Sequence, residues 1–211
     1  MQSVIWDWNG TLLNDLDLCI ASINRLLEKR NLPVLTNHQY KEVFSFPVKD
    51  YYAAIGFDFS KEDFSVPAHE FIDLYNAGVP NCSLQPNAKA VLDHIKNKGF
   101  KQFVLSAMQH KMLEETLKHQ KIYAYFDGVV GLDHHYATSK IERGEELIKK
   151  FNIDKEKATM IGDTIHDFEV AELLGIHCVL IANGHQSEDR LKSTGARVIQ
   201  SLNDLLKNGL I

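Results

Sequence analysis

An aspartate closes the apolar run Val4-Ile5-Trp6, and the segment Asp7-Trp8-Asn9-Gly10-Thr11 that follows has the composition of a tight polar turn. A carboxylate at the end of an apolar run is costly unless it is paired or bound to a metal. Two further apolar runs end in polar groups. Val104-Leu105-Ser106-Ala107 places a small hydroxyl at a strand terminus, and Ile161-Gly162-Asp163-Thr164-Ile165-His166-Asp167 places a glycine and then two carboxylates four positions apart. Lys140 opens a helical stretch 23 residues before Asp163. Taken singly, each has a plain alternative. Asp7 could be a turn or capping residue, Ser106 a helix N-cap, Lys140 a solvated helix residue like Lys149 and Lys150, and Asp167 an exposed residue on the following helix.

The elements that must position these groups alternate along the chain. Apolar runs of strand length span 3–6, 102–105, 127–130, 158–161 and 178–182, with a weaker one at 196–199. Amphipathic segments over 88–98, 112–119, 141–151 and 168–174 separate the later runs, and Gly99 and Gly175 stand where helices end. This alternation predicts an α/β fold with a mostly parallel sheet flanked by helices. Such sheets bind ligands beyond the carboxyl ends of their strands, where the loops beginning at Asp7, Ser106 and Asp163 fall. About 95 residues separate Asp7 from the next core strand, far more than one crossover helix needs. Residues 15–83 therefore read as an insertion, helical from the periodicity of Leu16, Ile20, Ile23 and Leu27 and then rich in aromatic side chains. It leaves a core of 1–14 and 84–211, with junctions near Asn14 and at Leu84 to Pro86.

Composition narrows the classes of partner. The 211 residues are 45% hydrophobic, enough for a sizeable core, and the net charge of -5 argues against nucleic acid or an anionic membrane surface. The apolar runs are too short to span a bilayer, and the first 15 residues hold two acids and no base, unlike a signal peptide. A small-molecule ligand and a cytoplasmic location are expected; oligomeric state is left open. Cys19, Cys82 and Cys178 lack metal-ligand spacing and read as buried thiols. His94, His134 and His135 read as surface residues, and Lys118 to Lys121 as a solvated helix end.

In order and spacing, the loops at Asp7, Ser106, Lys140 and Asp163 to Asp167 resemble the four motifs of the haloacid dehalogenase superfamily, and the resemblance covers essentially the whole chain. It implies a Rossmann-like core with a helical cap of the C1 type, similar to phosphoglycolate phosphatases, and phosphoryl transfer through an aspartyl phosphate on Asp7. By the same resemblance Mg²⁺ would sit among Asp7, the backbone carbonyl of Asn9, Asp163 and the phosphate, with Asp167 a further ligand or an acceptor that orients metal-bound waters. Ser106 and the amides of Gly10 and Ala107 would hold phosphate oxygens, and Lys140 would balance charge between nucleophile and phosphate. His166, inside the fourth motif, is a candidate for touching substrate or metal waters. Phe46, Lys49, Tyr51 and Tyr52 are candidates for setting substrate choice, or else part of the cap's own core.

Asn9 departs from the family's D-x-D pattern. The second aspartate protonates the leaving oxygen and then activates water, and an amide does neither. Losing a positioned acid or base costs ~10²- to 10⁴-fold, or roughly 3 to 5 kcal/mol of barrier. Leaving groups that need no proton suffer least. The expected function is a magnesium-dependent phosphatase of a small phosphorylated metabolite. A phosphotransferase or phosphomutase-like enzyme, or a catalytically impaired protein that binds a phosphorylated ligand, stands as the alternative.

Overall fold

The structure is a computed structural model, and it describes residues 1–132 and 140–207. His134 and His135 lie outside the described residues. A six-stranded sheet is built from β1 (Ser3–Trp6), β4 (Lys101–Gln109), β5 (Gly128–Leu132), β6 (Ala158–Gly162), β7 (His177–Ile181) and β8 (Arg197–Ile199). Their order is β5-β4-β1-β6-β7-β8, and every pairing is parallel. Strand order runs outward in both directions from β1, so a crevice opens between the carboxyl ends of β1 and β6. That is the switch point at which open parallel sheets bind ligands.

The sheet is covered on both sides, and β1 shows how the sequence arranges this. Val4 and Trp6 face one core with Val104, Ile161 and Val179, while Ile5 faces another with Phe103, Leu105, Met160 and Val170. A strand buried on both faces reads as a continuous apolar run, as β1 does. The flanking helices are α5 (Ala88–Asn97), α6 (His110–His119), α7 (Lys140–Phe151) and α8 (Ile165–Leu174), with α9 (Glu188–Lys192) and α10 (Asp204–Lys207) near the end. Gly99 and Gly175 adopt φ of 77° and 69°, the left-handed conformation that suits glycine just past a helix end.

Between β1 and β4 the chain forms β2 (Leu13–Asn14), helices α1 (Leu16–Lys29), α2 (Asn37–Val43), α3 (Val48–Ala54) and α4 (Ser65–Gly78), and β3 (Ser83–Leu84). Strands β2 and β3 pair antiparallel, Leu13 opposite Leu84, and bring the two ends of this segment together. Helix α1 packs along α4, and the Arg30 guanidinium bridges Glu62 and Glu70. Contacts that join the segment to the loop after β7 include the Tyr40 hydroxyl with His185 Nδ1 at 3.1 Å and Gln186 Nε2 donating to the Phe44 carbonyl at 2.8 Å.

Several expected boundaries move, each for a visible reason. Strand β4 does not stop at Leu105 but continues to Gln109 through a shift in register between those residues. Ser106 therefore sits inside a strand irregularity, the kind of local kink that re-aims a side chain. It is not a helix cap, because α6 is capped by the Gln109 side chain, which accepts from the Met112 amide at 3.3 Å. Helix α8 begins at Ile165 rather than near Phe168, since Thr164 and Asp167 form a reciprocal capping box. Of the cysteines, Cys19 is buried, whereas Cys82 and Cys178 are only partly covered.

Candidate active site

The crevice gathers the chemistry-bearing side chains. Asp7 follows β1, and its amide donates to the Ile161 carbonyl at 2.8 Å, which holds the Asp7 loop beside β6. Lys140, the first residue of α7, is 5% exposed and lies between two carboxylates, with Nζ 2.5 Å from Asp7 Oδ1 and 2.6 Å from Asp167 Oδ1. The plain readings of Lys140 as a solvated residue and Asp167 as an exposed one do not survive this geometry. Asp167 has a structural duty as well: its Oδ2 accepts from the Thr164 amide at 3.0 Å and hydroxyl at 2.7 Å.

Asp163 is fully buried and held from two sides. Its Oδ1 accepts from the Thr11 hydroxyl at 2.8 Å and its Oδ2 from the His185 amide at 2.7 Å. There is room for this only because residue 184 is a glycine. A Cβ there would lie 2.1 Å from Asp163 Oδ2. Gly184→Ala is expected to displace Asp163 and lower the melting temperature by several degrees, which a thermal melt reads.

One carboxylate oxygen from each of Asp7, Asp163 and Asp167 lies within 4.8 Å of the others. Burial, and then the nearby Asp167 and Asp163 charges, push the Asp7 carboxyl up to about 8 despite Lys140. Burial and Asp167 raise Asp163 to about 6 against the pull of His185. Asp167, although buried, is held below the usual range by Lys140. Three buried carboxylates, two of them paired with the Lys140 ammonium, form an electron-rich set, the donor chemistry of a hard divalent cation such as Mg²⁺. The residues fit that ion.

Asn9 is locked in place. Its Nδ2 donates to Asp15 Oδ2 at 2.8 Å and to the Tyr75 hydroxyl at 2.6 Å, while its Oδ1 accepts from the Ser106 hydroxyl at 3.3 Å. Asp15, absent from the sequence-based candidates, is the hub. It is fully buried and accepts from the Gly10 amide at 2.8 Å, the Tyr75 hydroxyl at 2.7 Å and His185 Nε2 at 3.2 Å. Despite burial, His185 and these hydrogen bonds hold Asp15 below the usual carboxylate range, and Asp15 with Asp163 raises His185 to about 9 against its own burial. The Gly10 amide, expected to face phosphate, is therefore already committed to Asp15. A carboxylate this close to the turn captures its donors first. Ser106 Oγ accepts from the Met108 amide at 3.1 Å, and Ala107 beside it is exposed.

Sequence signals existed for part of what was missed. Gly184, His185 and Gln186 follow β7 at its carboxyl end, so the positional rule that selects Asp7 and Asp163 also covers them. Asp15 precedes a helix and reads as a cap, yet its side chain makes no capping bond and turns back to the loop. Tyr75 carries no signal beyond its place on an apolar helix face. His166 stands at the rim, its ring centroid 4.8 Å from that of Phe46 and its Nδ1 3.5 Å from Glu169.

A family profile for haloacid dehalogenase-like hydrolases matches residues 4–181. The chain belongs to that family. It is 25% identical over 212 residues to the phosphoglycolate phosphatase of Caulobacter vibrioides, covering 97% of this chain and 89% of that one. It is 23% identical over 199 residues to the tyrosine-protein kinase PtkA of Mycobacterium tuberculosis, covering 94% and 68%. Among solved structures, a haloacid dehalogenase-like family hydrolase from Streptococcus pneumoniae superposes with a TM-score of 0.85 at 18% identity, over 98% and 97% of the two chains. That likeness bears on the fold, and it agrees with the parallel sheet and flanking helices described above. No helix among the described residues is long and apolar enough to cross a membrane.

Proposed function

We propose that the protein is a magnesium-dependent phosphatase of a small phosphorylated metabolite, with residues 15–83 acting as a cap over the core. The observation that carries the reading is the buried constellation of Asp7, Lys140, Asp163 and Asp167 at the end of a cavity of about 480 Å³. Asp7 is the nucleophile. Its Oδ1 is fixed by Lys140, and Oδ2 has only a long 3.5 Å contact to Thr11. Attack by Asp7 on phosphorus forms the aspartyl phosphate as the bond to the alcohol oxygen breaks, and water later cleaves the acyl phosphate. Lys140 and the Ala107 amide are donors for the phosphate oxygens, and the Ser106 hydroxyl joins them by turning from Asn9 Oδ1, to which it donates at 3.3 Å. Bound Mg²⁺ supplies charge neutralisation across nucleophile and phosphate. Asp7, Asp163, Asp167 and the Asn9 carbonyl would hold it.

The second reading, a protein that captures a phosphate ester or passes phosphate on without rapid hydrolysis, is favoured by Asn9. Its amide is not acidic enough to transfer a proton, and its N–H groups are tied to Asp15 and Tyr75. A relative named as a tyrosine kinase is consistent with transfer to acceptors other than water. Acetyl phosphate, whose leaving group needs no proton, separates the readings: a phosphatase hydrolyses it with steady turnover, whereas a binder does not.

The metal site has its own test. Calorimetry with Mg²⁺ in the presence of inorganic phosphate is expected to show Asp163→Ala losing at least tenfold in affinity. Asn9→Ala should stay within about threefold, because only its backbone carbonyl is needed. Normal binding by Asp163→Ala would place the metal elsewhere.

A further inference from the structure

The cavity above Asp7 is divided by chemistry. Its floor carries the carboxylates and Lys140, and its walls are aromatic: Tyr40, Phe44, Tyr51, Phe71 and Tyr75. A volume of about 480 Å³ lies in the range that encloses a small organic ligand and leaves ample room beyond a phosphate. The buried cations that line it are committed, and Lys49 is exposed. Lys140 is held by Asp7 and Asp167, and the Lys49 ammonium lies over the Phe59 ring at 5.8 Å. His185 is hydrogen-bonded to Asp15 and Tyr40, and His166 stacks at the rim beside Glu169. A carboxylate on the substrate's alcohol would lose its hydration in this space and, among the described residues, meet no buried cation that is not already paired.

The wall also holds a buried polar atom without a partner. Tyr51 is 2% exposed, and its hydroxyl makes no hydrogen bond. Tyr40 and Tyr75, by contrast, spend their hydroxyls on His185 and Asp15. Tyr51 packs edge-on against Phe44 and Tyr52, with ring centroids 5.3 and 5.5 Å away, so the ring is fixed in the wall. A buried hydroxyl left unpaired is unfavourable, and a ligand group that meets it removes the penalty.

Resting on the phosphatase reading, we infer that the alcohol released from the substrate is apolar and ring-bearing, with one hydrogen-bonding substituent that meets the Tyr51 hydroxyl, and is not a short carboxylic acid of the phosphoglycolate type. Flat rings suit these walls because edge-to-face and offset contacts with aromatic side chains add to simple burial. Reaction at phosphorus is the same for any alcohol, so the walls choose the substrate.

The test compares 2-(4-hydroxyphenyl)ethyl phosphate, 2-phenylethyl phosphate and 2-phosphoglycolate with purified protein and Mg²⁺. All three leave through an aliphatic oxygen, so differences in kcat/KM report the alcohol's binding more than its need for a proton. The ring-bearing esters are expected to exceed phosphoglycolate at least tenfold. Tyr51→Phe, which keeps the packed ring, is expected to lower the preference for the hydroxylated ester over the plain one about fivefold, the usual worth of one hydrogen bond. Equal or better kcat/KM for phosphoglycolate overturns the inference, as does a preference untouched by Tyr51→Phe. Acetyl phosphate serves as the control for the underlying reading. If it is hydrolysed while phosphoglycolate is preferred, only the inference fails. If it is not hydrolysed, the phosphatase reading fails, and calorimetric binding of the same esters then decides: weaker or equal binding of the ring-bearing pair overturns the inference.

Discussion

Replacing Asp7 by asparagine is expected to lower the turnover of every phosphate ester by ~10⁴-fold or more, because removal of a nucleophile takes away the whole covalent route. The same substitution is expected to raise the melting temperature in magnesium-free buffer. Burial pushes the Asp7 carboxyl from an ordinary 3.8 up to about 8. A carboxyl raised in the folded state binds its proton more tightly there than in the unfolded chain, so ionising it opposes folding. The penalty begins near the unfolded value, grows as pH rises, and is complete above the folded value. An asparagine carries no such penalty, and Lys140 keeps Asp167 as its partner 2.6 Å away. Loss of activity together with a gain in stability would be the signature of a functional charge held at the protein's expense. Activity assays paired with thermal melts at pH 5 and pH 8 measure it, the stabilisation being larger at pH 8. Unchanged turnover removes Asp7 from the mechanism, and a lower melting temperature would attribute lost activity to misfolding instead.

The core strands and their order of appearance were legible because the sheet is buried on both faces. Runs such as Val4 to Trp6 and Ala158 to Ile161 have no solvent side, so apolar character alone marks them. The polar residues just past these runs stand out for the same reason, which is how Asp7, Asp163 and Asp167 could be picked from sequence; Lys140 was picked by its spacing to Asp163 in the family resemblance, and the four are found together. What stayed hidden depends on contacts between distant segments. Asp15 looks like any helix-capping acid until His185, 170 positions away, and Tyr75, 60 away, converge on it. The irregularity in β4 is likewise invisible in Val104 to Met108, since strand register is set by pairing with β5. Composition showed the aromatic side chains between α2 and α4, but the same rings could have filled a core. Tyr51 does both, closing the packing between Phe44 and Tyr52 while lining the cavity.

The second large effect concerns Asn9. Asn9→Asp is expected to raise hydrolysis of alkyl phosphates by ~10²- to 10⁴-fold, the usual worth of a positioned acid and base. The gain should be least for p-nitrophenyl phosphate, whose leaving oxygen needs no proton. The surroundings sharpen this expectation. In place of an amide that donates to Asp15 Oδ2 at 2.8 Å, the substitution sets a second carboxyl against the first. Two carboxyls that close share a proton at neutral pH, which keeps the new group protonated as a general acid must be. The gain should therefore fade on the alkaline side as the shared proton is lost, and the folded state should weaken over the same range. In the double variant Asn9→Asp with Asp15→Asn, the donor and acceptor exchange sides, and stability should recover while part of the gain remains. Asn9 precedes Gly10, a sequence prone to deamidation, so aged protein could acquire the same carboxyl by chemistry. The structure opposes this: the Gly10 amide that must attack is held by Asp15 Oδ1 at 2.8 Å, and the Asn9 side chain is fixed by three hydrogen bonds. Mass spectrometry of the peptide from Asp7 to Leu13 should find the asparagine intact, which removes deamidation as a source of background activity. If the unmodified protein already turns over an alkyl phosphate at ordinary enzyme rates and Asn9→Asp adds nothing, the proton reaches the leaving oxygen from another group. His166 at the rim is then the first side chain to replace.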